Sequence, residues 1–586
     1  MQAAKVTRLI ALCLAGTILM TEPSFAKKEE PVKAGSFAGA YLAGRIAASD
    51  NNVDLAISYF KQALGFEPDN VSMQQDMLLT LLSAGEFKDA VKQAKRLKGN
   101  PDVERYVRLT LASDAFIRKN YITAKSELKF SEPSDMDTLS SGLLGAWATF
   151  GRGNTTGAVE DVKKLLGPVW YDLFLSYHMA LMSDLAGHRD DAEKYYKQAL
   201  NDQQGGAAAP DTYERIIVSY ASFQLRNNKR DEALATLRDG EKMLTGRDAL
   251  KNIRQRVEEG GSLDMLIKTP QGGAGEVFYD LGTAINRGGA EAFARIFLQL
   301  DEALRPHNDA TLFQLADISS KLEENERAID IYQEIPVKSP YYRDAELRLA
   351  LILADTGKSD ESIRHLAALE TDYPEDQRIS MAMTGVYMQE KSYDKAAAVM
   401  DRAIARIPHL EKENWLMLYQ RGMAEERLKE WDKAEPDFRK ALELYPNQPQ
   451  VLNYLGYSLI DRNEKLDEAL NMVKKAAELR AQDGYIVDSL GWAYYKLGRY
   501  DEAVKTLENA IKLRPEDATI NDHLGDAYWM VGRKLEATFQ WNHAIAGKPE
   551  PEELAKIQEK LKSGLKTPTA EKGTEKTPEK TDNTKH

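Results

Sequence analysis

The 586-residue sequence contains a single cysteine, Cys13, and no surplus of proline or glycine. One cysteine excludes an internal disulfide and a cysteine-based zinc site. Leu12 precedes Cys13 where a lipoprotein needs a small residue, so lipidation is not expected. The 21 prolines and 38 glycines are too few for a low-complexity chain, and most of the sequence is expected to be ordered. A basic surplus is also missing, since the net charge is −13, which excludes a general nucleic-acid binder.

The motifs that usually carry catalysis are absent as well. The sequence contains no P-loop, no dinucleotide-binding fingerprint, no zinc-protease pair and no Gly-x-Ser-x-Gly elbow. The eight histidines are dispersed, and none has a second histidine or a cysteine at ligand spacing. We therefore expect no catalytic residues, no metal, no cofactor and no small-molecule substrate. An enzyme with an unfamiliar active site is the alternative.

The first 26 residues have the three parts of a secretory signal peptide. Lys5 and Arg8 form a basic start, Leu9–Met20 is an apolar run, and Ser24 and Ala26 are the small residues of a cleavage site. A membrane-spanning helix needs about 20 apolar residues, more than this run supplies. We predict a cleaved signal peptide at 1–26 and a periplasmic mature protein of a Gram-negative bacterium with no transmembrane segment. An uncleaved N-terminal anchor is the alternative.

A small residue recurs at intervals of about 34 residues along most of the chain. In many units a glycine or alanine stands twelve residues before it, a large apolar residue four residues after it, and a proline twelve residues after it. Two antiparallel helices approach closely only where both carry small residues, and a large residue one turn later fills the remaining groove. The proline ends the second helix. The series is Ala56, Ala90, Ala124, Ala158, Ala192, Ala233, Ala294, Ala328, Ser362, Ala396, Ala434, Ala469, Ala503 and Ala537.

This pattern resembles the tetratricopeptide repeat (TPR). The unit from Val487 to Pro515 carries nearly the whole motif, at Leu490, Gly491, Tyr494, Gly498, Tyr500, Ala503, Leu507 and Ala510. Generic amphipathic helices would not keep a 34-residue register through consecutive units. The resemblance covers residues 36–549. It implies an all-α fold, a TPR superhelical solenoid of about 14 helix–turn–helix repeats in two consecutive arrays.

Glycine and proline clusters interrupt the repeat between residues 258 and 275. Gly260-Gly261, Thr269-Pro270 and the run Gln271-Gly272-Gly273-Ala274-Gly275 are turn and loop signals. We therefore predict an N-terminal array at 36–257, a linker at 258–275 and a C-terminal array at 276–549. Residues 566–586 are mostly Lys, Glu, Thr and Pro, and we predict a disordered tail. That tail is either a solvated end or a tether or charged arm for a partner.

The resemblance also predicts where a partner would bind. In this family the first helix of each unit lines the concave face of the solenoid. Aromatic rings there supply contact area, and acids favour partners with Lys or Arg. The alternative is that the same rings pack between adjacent units. The nine candidate partner-binding residues are Tyr419, Asn453, Tyr457, Asp488, Trp492, Tyr495, Asp522, Asp526 and Trp529.

The family's carboxylate clamp for acidic C-termini uses lysine and asparagine. Only Asn453 matches it here, so the resemblance does not imply recognition of an acidic C-terminus.

The resemblance implies a non-enzymatic adaptor or scaffold for other protein or peptide partners of the cell envelope, without nucleic acid. The overall plan resembles Gram-negative TPR adaptors that deliver substrates to C-terminal-processing proteases. The alternative is an assembly scaffold for polysaccharide export or outer-membrane biogenesis.

Overall fold

The computed structural model describes residues 32–50 and 52–565, and the regular secondary structure of these residues is helical. The predicted signal peptide (1–26) and the predicted tail (566–586) lie outside the described residues. The chain forms two compact units that divide between Ser362 and Ile363. Each unit is built from successive helix pairs of the tetratricopeptide type, so the predicted all-α TPR solenoid is confirmed.

The first unit contains α1 to α19 and the start of α20. Two of its helices are short, and a 3₁₀ turn at Pro101–Val103 precedes α5. The helices are α1 (Phe37–Ser49), α2 (Val53–Phe66), α3 (Val71–Ala84), α4 (Phe87–Arg96), α5 (Glu104–Ile117), α6 (Tyr121–Glu127), α7 (Asp135–Gly151), α8 (Thr155–Lys163), α9 (Tyr171–Leu185), α10 (Arg189–Asn201), α11 (Gln203–Ala208), α12 (Pro210–Arg226), α13 (Arg230–Met243), α14 (Asp248–Glu258), α15 (Pro270–Arg287), α16 (Glu291–Leu304), α17 (Asp309–Lys321), α18 (Asn325–Gln333), α19 (Tyr342–Asp355) and α20 (Ser359–Asp372).

The second unit contains the rest of α20 and eleven further helices of the described chain, with a 3₁₀ turn at Lys412–Asn414. The last helix lies beyond residue 549, where the predicted array ends. The helices are α21 (Gln377–Gln389), α22 (Tyr393–Ala405), α23 (Trp415–Arg427), α24 (Trp431–Leu444), α25 (Pro449–Asp461), α26 (Leu466–Leu479), α27 (Gly484–Lys496), α28 (Tyr500–Leu513), α29 (Ala518–Met530), α30 (Lys534–Ala546) and α31 (Pro551–Ser563).

The small residues of the 34-residue series hold the two helices of each pair together. Every member of the series, including Ser362, is fully buried. On the partner helix, a glycine leaves room for the large residue that follows the alanine by four. A Cβ at Gly525 would lie 2.5 Å from Trp541 Cδ1, and one at Gly422 would lie 2.8 Å from Phe438 Cε1. The repeat spacing therefore reflects direct backbone-to-side-chain packing inside each pair.

The turn between the two helices of a pair uses the left-handed backbone region. Gly498 and Gly532 have φ values of 74° and 85° there. Glycine suits this position because it has no Cβ to clash with the backbone. In other repeats Lys391 and Lys429 take the same region, with φ values of 57° and 65°. The short turn therefore persists without glycine, at a cost of about 1–2 kcal/mol per residue.

The structure differs from the predicted linker at 258–275. Residues 270–275 are the first turns of α15, capped by Thr269 and begun by Pro270. Helix α15 packs against α7, α12 and α16 inside the first unit. The indole of Trp147 leaves no room for a Cβ at Gly273. The glycines that looked like loop residues are therefore needed for close helix packing, and the two compact units divide about ninety residues later.

A network of charged side chains lies in the core of the first unit. Glu276 on α15 is fully buried, and it accepts hydrogen bonds from Tyr177 Oη (2.7 Å), Arg215 Nε (2.9 Å) and Arg305 Nη1 (2.5 Å). Arg305 also donates to Asp301, at 2.6 and 2.7 Å. A buried carboxylate is tolerated only when it is paired in this way. The network therefore joins helices α9, α12, α15 and α16 through polar contacts.

A second buried polar cluster joins Trp147 on α7, His178 on α9 and Asp280 on α15. Trp147 Nε1 donates to His178 Nδ1 at 3.0 Å, which leaves the imidazole proton on Nε2. His178 Nε2 lies 3.2 Å from Asp280 Oδ2, and both side chains are inaccessible to solvent. Burial, with Glu276 as a further contribution, raises the pKa of Asp280 to about 6, against the opposing effect of His178. Asp280 thus carries a buried carboxyl whose ionisation is disfavoured.

Candidate functional site

Four first helices of the second unit carry the nine predicted partner-binding residues. Helix α23 carries one of them, α25 two, α27 three and α29 three. The structure brings the six residues on α27 and α29 into one patch, which we call the C-terminal groove. It consists of Asp488, Trp492, Tyr495, Asp522, Asp526 and Trp529.

Three stacked rings form the aromatic part of the C-terminal groove. The rings of Trp492 and Tyr495 are 4.7 Å apart and 8° from parallel. The imidazole of His523 also stacks on the indole of Trp492, with ring centroids 4.0 Å apart and planes 14° from parallel. Lys496 lies over the same indole, 5.3 Å from its centroid. Trp492 and Tyr495 are both partly exposed, so the stack offers apolar surface to a ligand.

Asp488 is paired with the histidine of the next repeat. His523 Nδ1 lies 3.1 and 3.0 Å from the two carboxylate oxygens of Asp488, and both side chains are buried. Burial alone would lower the pKa of His523, but Asp488, with Asp522 and Asp526, raises it above its ordinary value of 6.5. Asp488 is therefore a structural partner of His523 rather than a free acid at the groove surface.

The other two acids of the groove share one lysine. Lys560 on α31 donates to Asp522 Oδ1 and Oδ2 (2.9 and 2.7 Å) and to Asp526 Oδ2 (2.8 Å). Trp541 Nε1 donates to Asp526 Oδ1 at 2.9 Å. Burial and the neighbouring Asp522 raise the pKa of Asp526, and Lys560 and Trp541 oppose that rise. The predicted acidic surface is therefore neutralised by a cation from the chain itself.

Helix α31 supplies further contacts to the same groove. Ile557 is buried against the last repeat, and Leu561 and Leu565 are partly buried beside it. The indole of Trp529 leaves no room for a Cβ at Gly564. A cavity of about 210 Å³ remains between Trp492, helix α29 and helix α31. The groove is therefore occupied in part by the end of the described chain.

Tyr457 on α25 is also affected by α31. Burial, with smaller contributions from Asp461, Asp488 and Glu553, raises the pKa of Tyr457 to about 12. Glu553 belongs to the first turn of α31. This helix therefore extends from the last repeat towards the side chains of α25.

The two remaining predicted residues lie away from this patch. Tyr419 packs among Trp415, Phe438 and Tyr454, with ring centroids 5.8 to 6.1 Å apart. Tyr419 therefore packs between helices, which is the alternative stated for these rings in the sequence analysis. Asn453 is partly buried, and its Oδ1 has no hydrogen-bond partner among the described residues.

Sequence reasoning missed three residues of the site: His523, Trp541 and Lys560. The sequence does contain a signal for the last one, since Lys560 follows Asp526 by 34 residues, the repeat interval. That interval places Lys560 where another first helix would put the residue equivalent to Asp526. For His523 and Trp541, the repeat spacing predicts the helix on which each residue lies but not the side chains that it contacts.

A polar cavity of about 330 Å³ lies in the first unit, and the sequence did not predict it. Arg247 Nη1 lies 2.7 Å from Asp211 Oδ1 and 3.2 Å from Glu214 Oε2, and Tyr341 Oη donates to Glu214 Oε1 at 3.1 Å. Asn286 on the cavity wall is buried, and its Oδ1 has no hydrogen-bond partner among the described residues. Most of the charge in this cavity is therefore compensated by the protein.

Among the residues that the structure describes, no three His, Cys, Asp or Glu side chains are grouped closely enough to hold a metal ion. No helix of residues 32–50 and 52–565 is both long enough and apolar enough to cross a membrane.

Four segments of the chain match family models of this repeat. Residues 491–532 match the model described as TPR repeat. Three further models, each described as tetratricopeptide repeat, match residues 415–448, 347–411 and 39–70. The matches fall in both compact units.

Known proteins resemble parts of the chain. A TPR repeat-containing protein of Pseudomonas aeruginosa is 28% identical over 193 residues, which are 33% of this chain and 32% of that protein. The human protein O-mannosyl-transferase TMTC1 is 29% identical over 134 residues, 22% of this chain and 15% of that protein. The chain thus spans about a third or less of these curated relatives. The crystal structure of the APC/C hetero-tetramer Cut9–Hcn1 aligns with a TM-score of 0.36 and 15% identity, over 91% of this chain and 97% of that chain.

Proteins built from this repeat act in protein–protein interaction. The helix pairs, the buried small residues at the repeat interval and the four matched segments agree with one another. The chain is a tetratricopeptide-repeat protein.

Proposed function

We propose that this protein is a non-enzymatic adaptor or scaffold of the bacterial periplasm that binds cell-envelope proteins through the C-terminal groove. The observation that carries the proposal is the parallel stack of Trp492 and Tyr495, both partly exposed beside the acids of α29, with the buried His523 stacked on the same indole. Tryptophan and tyrosine are enriched among the residues that contribute most to protein–protein binding. The cavity beside Trp492 gives a partner side chain a place to insert.

The periplasmic location rests on the sequence of the first 26 residues. The basic start, the apolar run and the small residues at the end of this segment favour export and cleavage. The nearly complete lack of cysteine suits a protein that needs no disulfide in an oxidising compartment. Cell fractionation with an antibody tests this directly, because a protein that stays in the cytoplasm at full length contradicts the location.

Within the envelope, we propose that the adaptor presents substrates to a C-terminal-processing protease. The alternative is an assembly scaffold for polysaccharide export or outer-membrane biogenesis. Both functions use the same groove, so the identity of the bound proteins separates them. A protease together with its substrates supports presentation, whereas components of an export or assembly machine support the scaffold.

Site-specific photo-crosslinking in the native cell tests the groove. A photoreactive amino acid replaces Thr519, which is exposed and lines the cavity beside Trp492. The matched control carries the same amino acid at Lys505, an exposed position on the second helix of the preceding repeat. We expect discrete crosslinked proteins at Thr519 that are absent at Lys505, and mass spectrometry identifies them.

Two results would overturn the proposal. Crosslinks that are the same at both positions would mean that the groove is not the binding surface. A purified protein that turns over a substrate by itself, and loses that activity on one polar substitution, would mean that the protein is an enzyme.

A further inference from the structure

Helix α31 meets the C-terminal groove with one face. Ile557, Lys560 and Leu561 are spaced by three and four residues, which places their side chains on the same side of a helix. Ile557 is buried, Lys560 and Leu561 are partly buried, and the neighbouring Lys556 and Lys562 are exposed. The helix therefore has one apolar stripe with a lysine inside it and a polar remainder.

The lysine is the contact that the groove requires. Asp526 is buried and Asp522 is only partly exposed, and their carboxylates converge on Lys560 Nζ at 2.7 to 2.9 Å. Two acids held this close repel each other unless a cation lies between them. Any ligand that replaced α31 without a cation would leave a buried carboxylate uncompensated, which is strongly unfavourable.

The apolar contacts of α31 are small by comparison. Of its thirteen described residues, Ile557 is the one fully buried side chain. The cavity of about 210 Å³ between this helix, α29 and Trp492 shows that α31 leaves part of the groove unfilled. A helix with a larger apolar side chain next to the position of Ile557 would cover more of the partly exposed indole of Trp492 and would bury more apolar area.

We propose that the C-terminal groove binds a short amphipathic helix that carries a lysine opposite Asp522 and Asp526. Helix α31 is the chain's own occupant of this site, and the helix of a partner must displace it. The partner class is therefore a protein segment with an apolar stripe and a lysine on the same face. This inference rests on the proposed function and specifies the ligand of the same groove.

Displacement is favourable only for a ligand that binds better than α31, because a tethered segment acts at an effective concentration in the millimolar range. In the wild type, a free copy of α31 competes with this tethered helix and binds weakly. Weakening the attachment of α31 frees the groove and raises the apparent affinity in proportion to the open fraction.

The test uses the full chain and a fluorescently labelled synthetic peptide of residues 550–565. Binding is measured by fluorescence anisotropy for the wild type, for Lys560→Glu and for the control Lys562→Glu, which makes the same charge change on the exposed face of α31. We expect Lys560→Glu to bind the peptide about tenfold more tightly than the wild type, or better. Lys562→Glu should behave as the wild type does.

A second peptide, in which glutamate replaces the lysine at position 560, checks the role of that lysine. We expect it to lose most of its binding to the Lys560→Glu chain, because it brings a third carboxylate to Asp522 and Asp526. Equal affinity of the two peptides for this chain would overturn the inference, and so would equal affinity of all three chains for the first peptide.

Circular dichroism confirms that each variant keeps its helices. If Lys560→Glu lowers the helical signal, Lys560→Met replaces it, because methionine keeps the apolar stem and removes only the charge. The result for Lys560→Met is then judged by the same two criteria.

This experiment is separate from the crosslinking at Thr519. Peptide binding without a crosslinked protein in the cell would support the groove chemistry and contradict the adaptor function. Specific crosslinks without binding of the lysine-containing peptide would support the adaptor function and overturn the ligand class proposed here.

Discussion

Arg215 and Glu276 form a buried bidentate ion pair between α12 and α15. Arg215 Nε donates to Glu276 Oε1 at 2.9 Å, and Arg215 Nη2 donates to Oε2 at 2.7 Å. The two residues are 61 positions apart in the sequence, and the glutamate side chain is fully buried. Burial alone would raise the pKa of Glu276, but Arg215 and Arg305 hold it below its ordinary value.

Replacing this glutamate should destabilise the first unit strongly. Glu276→Ala leaves Arg215 and Arg305 buried without their common partner, and we expect the free energy of unfolding to fall by about 3–5 kcal/mol. Urea denaturation followed by circular dichroism measures the change. The control is Glu160→Ala, which removes an exposed acid paired with Lys163 and should leave the unfolding curve unchanged. Equal curves for both variants would contradict the buried network.

Asp280 should make the first unit less stable as the pH rises. Burial raises its pKa to about 6 from 3.8, so between these values the folded state binds a proton that the unfolded state has released. Stability then falls as the pH rises from about 4 to about 6, by on the order of 3 kcal/mol in total. Asp280→Asn cannot ionise and should lack this loss.

The measurement for Asp280 is urea unfolding of the wild type and Asp280→Asn at several values of pH. The difference between the two proteins should grow between about pH 4 and pH 6 and stay constant above that range. Asp190→Asn, which changes an exposed acid on α10, is the control. A difference that does not change with pH would contradict the prediction.

Two helical glycines of the second unit should respond oppositely to alanine. A Cβ at Gly525 would lie 2.5 Å from Trp541 Cδ1, whereas nothing lies within 4 Å of a Cβ at Gly385. We expect Gly525→Ala to lower the free energy of unfolding by about 1–3 kcal/mol through overpacking. Gly385→Ala should raise it by about 0.5–1 kcal/mol, because alanine restricts the unfolded chain. Thermal or urea unfolding of both variants measures the two free energies of unfolding. Changes of the same sign in the two variants would be inconsistent with this packing.

Protonation of His523 should be visible in the fluorescence of Trp492. The two rings stack at 4.0 Å, and Asp488 helps to raise the pKa of His523 above 6.5 despite burial. This pairing stabilises the fold fully below about pH 6.5, and the stabilisation is lost as the pH rises through the raised pKa. We expect a fluorescence transition above pH 6.5 that is absent in His523→Gln.

The contribution of Asp488 can be measured in the same titration. Asp488→Asn removes the charge next to His523, so the midpoint of the fluorescence transition should move to lower pH. Asp501→Asn, at an exposed position on α28, is the control and should leave the midpoint in place. An unchanged midpoint in Asp488→Asn would mean that another group causes the raised pKa.

Much of the architecture follows from short-range spacing in the sequence. The alanine series predicts which residues are buried between paired helices, and the structure confirms this at every member. Gly498 and Gly532 take the left-handed turn conformation expected between the helices of a pair. These features depend on neighbours within one repeat, so the interval of 34 residues is sufficient to locate them.

The spacing of residues could not decide whether residues 270–275 form a loop or a helix. Glycine is needed both in loops and where helices touch, and only the position of Trp147 shows that Gly273 serves helix contact. The candidate site has the same limit. The repeat placed Asp526 and Trp529 on a first helix, but it did not show that Lys560 and Gly564 lie against them.

The sequence by itself determined the helix pairs and their register over most of the chain, because these are set by contacts within a repeat or between adjacent repeats. The tertiary structure alone decided which charges are paired. Arg215 reaches Glu276 across 61 residues, an interval that does not match the repeat. Such pairs depend on where distant helices come together, and a periodic pattern of apolar and small residues carries no information about that.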